Sequence, residues 1–234
     1  MRLRIAGLSA SYGRAQILDD VSLAADTGEV VALIGRNGAG KSTTFKSIVG
    51  LVTEQSGKRL LDGIDIGSLP AHRIARMGLA YVPEDRRIFV ELTVEENLSV
   101  GRQKPRLGVP HWDADRLYQL FPNLAEIRRR PAGRMSGGEQ QMLTIARALM
   151  GNPSVILLDE PSEGLSPKIV EHLAKTILEL RREKLTIVIS EQNLHFARNV
   201  SDRATIIEKG RVRYTGTMAE LAANEAVQRE YLSA

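Results

Sequence analysis

The sequence predicts an α/β fold: a parallel sheet interrupted by a helical insert. Three observations carry that prediction. Short, continuous apolar runs recur at VVALI (30–34), VILLD (155–159) and TIVIS (186–190), the signature of parallel strands buried on both faces. The first run enters Gly-rich sequence and then a helical pattern. Residues 84–152 read as mainly helical, with no comparable apolar run.

Taken in chain order, LRIAGLSASY opens as a strand. Val30 to Ile34 is a buried strand that leads into a turn, and Lys41 to Val49 is a helix stopped by Gly50. Leu79 to Val82 is a strand ended by Pro83. After the helical stretch, the strands VILLD, TIVIS and ATIIE (204–208) return, the first two each joined to the next by a helix. Helical segments from Met218 and from Glu225 close the chain. A single domain is expected, with an α/β core at about residues 1–83 and 153–234 and a helical subdomain at about 84–152.

With 43% hydrophobic residues the 234-residue chain can bury a substantial core, and with 4% aromatics that core must be mostly aliphatic. The net charge of +4 comes from 32 basic and 28 acidic residues that are well mixed, which speaks for a solvated surface and against nucleic acid. The chain has no cysteine, which excludes disulfides and Cys-based zinc sites. MRLRIAGLSASYG lacks the apolar core of a signal peptide, and no run approaches a membrane-spanning length. These features lead us to expect a soluble cytosolic protein.

GRNGAGKS (35–42) matches G-x-x-x-x-G-K-[ST] between a strand and a helix, the context that a phosphate-binding loop requires. Gly35, Gly38 and Gly40 permit backbone conformations that side chains obstruct. The amides of Gly35, Arg36, Asn37, Gly38, Ala39, Gly40, Lys41, Ser42 and Thr43 can then converge on phosphate oxygens at a helix N-terminus. Lys41 is expected to reach the β- and γ-phosphates, the Ser42 hydroxyl to ligate Mg²⁺, and Thr43 to bind a phosphate oxygen.

Asp159 ends VILLD and Glu160 follows it. Carboxylates leaving a buried strand at the switch edge of an α/β sheet suit metal and water chemistry. Asp159 is expected to hold Mg²⁺, mostly through water, and Glu160 to polarise the attacking water. By themselves, two acids after a strand are equally well read as helix-capping residues.

RMSGGEQQMLTIARAL (134–149) contains Ser136 as an N-cap with Glu139 three residues on, a capping-box pattern before an apolar helix. With this stretch, the chain resembles the ATP-binding cassette (ABC) ATPases: the phosphate loop, SGGEQ, VILLDE and their order all match over nearly the whole chain. The resemblance implies a RecA-like α/β core with an N-terminal antiparallel β region and a helical subdomain carrying the signature. It further implies a head-to-tail pair of cassettes. Each ATP would be held by the phosphate loop of one copy and by Ser136, Gly137 and Gly138 of the other. Tyr12 matches the aromatic that stacks on adenine.

Four positions depart from the commonest family pattern. Glu84 stands where a Gln contacting Mg²⁺ and the membrane partner is usual, Glu139 where the signature has Gln, Ser166 where an Asp is usual, and Gln192 where a catalytic His is usual. Together YVPEDRRIF, LTVEENL, MSGGEQQML, DEPSEGLSP and SEQN resemble the smaller ATP-binding subunit of branched-chain amino acid importers, with the urea and short-chain amide importers second. Gln192 keeps an N–H donor at similar reach and does not titrate near neutrality. It is therefore assigned the γ-phosphate or the attacking water. His195, about one helical turn (about 5 Å) further on, is expected to face elsewhere.

The resemblance also implies partners: a second ATPase subunit, two transmembrane permeases and, indirectly, an external substrate-binding protein. It places the chain in the cytoplasm, peripheral on the inner face of the membrane. A membrane-side helix would dock near residues 84–98, with Arg86, Arg87 and Phe89 as candidate contacts. The basic run Arg128 to Arg130 reads as solvated surface. The competing classes are an ABC-type ATPase acting on DNA or another soluble target, and a module that binds ATP without cleaving it. The absence of cysteines and of a long insert counts against the first of these, and Glu160 against the second.

Overall fold

The computed structural model describes residues 1–231. The strands are β1 (Leu3–Tyr12), β2 (Ala15–Ala25), β3 (Val30–Ile34), β4 (Glu54–Leu61), β5 (Ile64–Asp65), β6 (Leu79–Val82), β7 (Val155–Asp159), β8 (Thr186–Glu191), β9 (Arg203–Glu208) and β10 (Arg211–Thr217). The helices are α1 (Lys41–Ile48), α2 (Ala71–Met77), α3 (Val94–Gly101), α4 (Ala114–Leu120), α5 (Pro122–Glu126), α6 (Gly137–Leu149), α7 (Pro167–Arg182), α8 (Leu194–Val200), α9 (Met218–Ala223) and α10 (Glu225–Tyr231).

Two sheets form. The larger has six strands in the order β10-β9-β3-β8-β7-β6. All its pairs are parallel except the β9–β10 edge. The smaller is antiparallel, β2-β1-β4-β5. Between β6 and β7 the described residues hold α3 to α6 and no strand.

The two-residue period of a strand divides the core into two layers. Val30, Ala32 and Ile34 point to one face with Ile156, Leu158, Ile187 and Ile189, where they meet α6, α7 and α8 through Leu143, Ile177 and Phe196. Val31 and Leu33 point to the other with Val155, Leu157 and Val188, against Phe45 and Ile48 of α1 and the β1–β2 residues Leu8 and Val21. The apolar residues of the inserted helices join the first layer, so the helical stretch shares the sheet's core instead of closing one of its own.

The parallel register sets the functional edge. Ile34 pairs with Glu191, Asp159 with Ser190, and Val82 with Leu158. The carboxyl ends of β6, β7, β8 and β3 therefore open side by side, and the loops that follow them share one rim.

Candidate active site

The phosphate loop bridges β3 and α1 over Gly35 to Gly40. Gly40 takes φ +109°, a backbone that costs an L side chain strain. A Cβ at Gly35 would collide with the Ile207 carbonyl oxygen, so that position admits only glycine. The loop is pinned from below by Gly210 N–H donating to the Ala39 carbonyl at 2.9 Å, and from the side by Gly35 N–H donating to the Glu191 carbonyl at 3.2 Å. Arg36, Asn37 and Gly38 form its exposed crest, and Ser42 and Thr43 are half-buried at its base.

Lys41, 3% exposed, donates to the carbonyls of Gly35 (2.7 Å) and Arg36 (3.0 Å). Its Nζ also lies 3.0 Å from Oε1 of Glu160. Ser42 donates its hydroxyl to Oδ1 of Asp159 at 3.1 Å. The fold thus brings Lys41, Ser42, Asp159 and Glu160 together from two strand ends distant in sequence.

Asp159 is buried and oriented by two residues that sequence reasoning did not single out for this role. Ser190 donates to Oδ1 at 2.6 Å and the Tyr81 hydroxyl donates to Oδ2 at 2.9 Å. Burial, then the Asp159 charge, hold the Tyr81 phenol well above its ordinary range, so it stays a donor. The period of β6 was the available signal, since it turns Tyr81 toward Phe45 and the α1 side (ring centroids 6.4 Å apart). Glu160 sits at φ 45°, a left-handed conformation that costs about 1–2 kcal/mol in a non-Gly residue. Its N–H is held by both the Ser190 carbonyl (3.1 Å) and the Ser190 hydroxyl (3.0 Å). The hydrogen bond that Glu163 shares with Glu160, its burial, and the charges of Glu160 and Glu84 hold the Glu163 carboxyl above the usual range.

Gln192 is exposed immediately after β8. His195 is exposed in the first turn of α8, where its Nε2 lies 3.3 Å from Asn199 Nδ2. Tyr12, 50% exposed, ends β1, and Glu84 is exposed two residues beyond β6.

Ser136 caps α6 through a reciprocal box: Glu139 N–H donates to Ser136 Oγ at 3.3 Å and Ser136 N–H donates to Glu139 Oε2 at 2.7 Å. This satisfies two otherwise orphaned amides and leaves Ser136 and Gly137 exposed, with Gly138 half-buried. The loop after β6 is tied to this same helix. Arg147 of α6 donates to the Arg87 carbonyl at 2.7 Å and stacks over the Phe89 ring at 5.0 Å. Arg86, one of the candidate docking contacts, is half-buried and donates to Gln141 of α6 at 3.3 Å, on a loop where Arg86 (φ 61°) and Arg87 (φ 49°) are both left-handed. Phe89, Val100, Ala148 and Tyr81 line a groove of about 310 Å³ beside this loop.

Comparisons with known proteins give the family and the fold. The family described as ABC transporter matches residues 18–163. A high-affinity branched-chain amino acid transport ATP-binding protein, BraG, of Pseudomonas aeruginosa is 44% identical over 96% of this chain and 97% of its own length. A probable branched-chain amino acid transport ATP-binding protein, LivF, of Archaeoglobus fulgidus is 41% identical over 97% of each. The lipopolysaccharide export system ATP-binding protein LptB of Haemophilus influenzae is 40% identical over 96% of this chain and 94% of its own. Among solved structures, an ATP-binding cassette of an ABC transporter in its ADP conformation superposes with TM-score 0.82 at 26% identity, covering 97% of both chains. Among the described residues no helix is long and apolar enough to cross a membrane. With a family match across most of the chain and a cassette fold around the Lys41–Glu160 pair, this chain belongs to the ABC transporter family as an ATP-binding, ATP-hydrolysing subunit.

Proposed function

We propose that this chain powers an importer of branched-chain amino acids, working on the inner face of the membrane against two permease subunits. What supports this reading is the 44% and 41% identity, over nearly the full chain, to two ATPases named for branched-chain amino acid transport. The transported molecule does not touch this subunit. The groove beside Phe89 is assigned to a permease helix, and its ties through Arg147 link that helix to the signature serine.

In this reading the amides of residues 35–43 cradle the phosphates and Tyr12 stacks on adenine. Ser136, Gly137 and Gly138 of a second cassette, identical or a sister subunit, complete the site at a helix N-terminus. Ser42 and Asp159 present adjacent hard oxygen donors, a set that fits Mg²⁺ bound jointly with phosphates and water, and Glu84 is assigned to the same ion. When bound, Mg²⁺ would neutralise charge on the β- and γ-oxygens. Lys41 now shares its ammonium with Glu160. An entering triphosphate competes for that ammonium and releases the Glu160 carboxylate to polarise water. Gln192 then holds the γ-phosphate or the attacking water.

A second reading is export, favoured by the 40% identity to LptB. Urea or short-chain amide import is the other substrate class, and a soluble non-transport target ranks below both. The test is reconstitution in proteoliposomes with permease subunits, a sister ATPase and a binding protein of a branched-chain amino acid importer. Turnover should rise with binding protein loaded with leucine, isoleucine or valine. Stimulation by a urea-loaded binding protein alone, or by lipid cargo alone, would overturn the proposal.

A further inference from the structure

Glu191 has no task in the scheme above, yet its side chain is 2% exposed at the last position of β8. Burying a carboxylate is costly unless fixed donors meet it. Here they come from two loops of the site. Oε1 accepts the Ser162 N–H at 3.1 Å, and Oε2 accepts the Asn193 N–H at 3.3 Å. Its own main-chain carbonyl accepts the Gly35 N–H at 3.2 Å.

Each contact has a functional neighbour. Ser162 follows Glu160 by two residues, and the intervening Pro161 limits the freedom of that link. Asn193 follows Gln192 directly and caps α8, its Oδ1 accepting from Phe196 N–H at 3.1 Å. Gln192 is therefore held on both sides: by the strand through Glu191, and by the carboxylate and helix cap through Asn193. One side chain fixes the turn carrying Gln192 and the turn carrying Glu160 to the same pair of oxygens. The third contact, to the phosphate loop, uses only the backbone and survives any substitution at 191.

We propose that Glu191 is a positioning residue: its carboxylate brackets the Ser162 and Asn193 amides and so sets Gln192 against Glu160 for attack on the terminal phosphate. The proposal rests on the assignment of Gln192 and Glu160 above. It separates two quantities. Nucleotide affinity depends on the phosphate loop and should be spared, whereas turnover depends on the alignment of two loops and should fall. Glutamine at 191 keeps one acceptor but turns an amide donor toward the other N–H, so it preserves shape and half of the bracket.

The experiment is a double-mutant cycle on the full chain, with ATP turnover and nucleotide binding both measured for Glu191→Ala, Glu191→Gln, Gln192→Ala and the Glu191→Ala/Gln192→Ala pair. Glu191→Ala should lower kcat roughly tenfold with KM and nucleotide affinity within about twofold. Glu191→Gln should be intermediate. The double variant should be within about twofold of Gln192→Ala alone, since two residues acting as a unit are non-additive. A raised KM with unchanged kcat, or losses that multiply independently, would overturn the proposal. If Glu191→Ala fails to fold, the cycle is run with Glu191→Gln and read the same way. Impaired Gln192→Ala beside unimpaired Glu191 variants sinks this inference alone. Unimpaired Gln192→Ala sinks the Gln192 assignment and this inference with it.

Discussion

Lys41 Nζ lies 3.0 Å from Oε1 of Glu160, and both side chains are buried or nearly so. The pair joins the residue to which the proposal gives the phosphates to the residue to which it gives the attacking water, and each side chain is the other's ion-pair partner. Lys41→Met leaves a buried carboxylate without its cation, which costs about 3–5 kcal/mol where the group cannot relax or take up a proton. Thermal melts should show Lys41→Met less stable than wild type, with Lys41→Met/Glu160→Gln recovering part of the loss. Glu160→Gln alone should keep nucleotide affinity, lose turnover and accumulate as a closed dimer with ATP.

Tyr81→Phe removes only the hydroxyl that donates to Asp159 Oδ2. Outer-shell partners of a metal ligand typically carry a 10–100-fold effect, so the Mg²⁺ concentration for half-maximal turnover should rise by about tenfold. Because Tyr81 stays protonated throughout the working range, the shift should be the same at every pH tested. A variant with an unchanged Mg²⁺ requirement would show that Ser42 and Ser190 orient the carboxylate without Tyr81.

Ser136 has two separable roles. Ser136→Ala removes the cap and should cost about 1 kcal/mol in urea unfolding. Ser136→Asp keeps a capping acceptor, so its stability should hold. It places negative charge where the proposal puts the partner's γ-phosphate, so its turnover should fall further than that of Ser136→Ala. Equal turnover in the two variants would leave Ser136 a cap and nothing more.

Burial pushes Glu191 up to about 7, against the hydrogen bonds from Ser162 and Asn193, and the Glu160 charge adds to the rise. The ordinary carboxyl value is 4.5. Between these values the folded chain holds a proton that the unfolded chain has lost, so this group's contribution to stability declines as pH rises from 4.5 to about 7 and is gone above it. Glu163, also raised, acts with the same sign. Glu191→Gln should therefore have a flatter melting-temperature profile than wild type between about pH 5 and pH 8. Parallel profiles would contradict the burial argument.

The sequence was most readable where local rules decide the structure. The apolar runs become β3, β7, β8 and β9 within a residue at each end, and the Ser136–Glu139 box forms as its spacing implies. The edges were less readable. β4 (EQSGKRLL) alternates weakly and is a strand because β1 offers it a partner, whereas β10 does alternate, half-buried with exposed, along its pairing with β9. Nor do single residues announce contacts made across the fold: Tyr81 reaches 78 positions along the chain to Asp159, and Arg147 reaches 60 back to Arg87. Arg86 bonds to Gln141 of α6 from a loop with two successive left-handed residues, a conformation that its composition does not signal.

The proposal gives to Gln192, exposed immediately after β8, the work that it denies to His195, hydrogen-bonded to Asn199 on α8. ATP turnover of Gln192→Ala and His195→Ala, measured side by side at saturating nucleotide, tests it directly. Gln192→Ala should lose roughly a hundredfold, the size seen when a positioned transition-state donor is removed, and His195→Ala should keep wild-type turnover. Unchanged turnover in Gln192→Ala with loss in His195→Ala would contradict it.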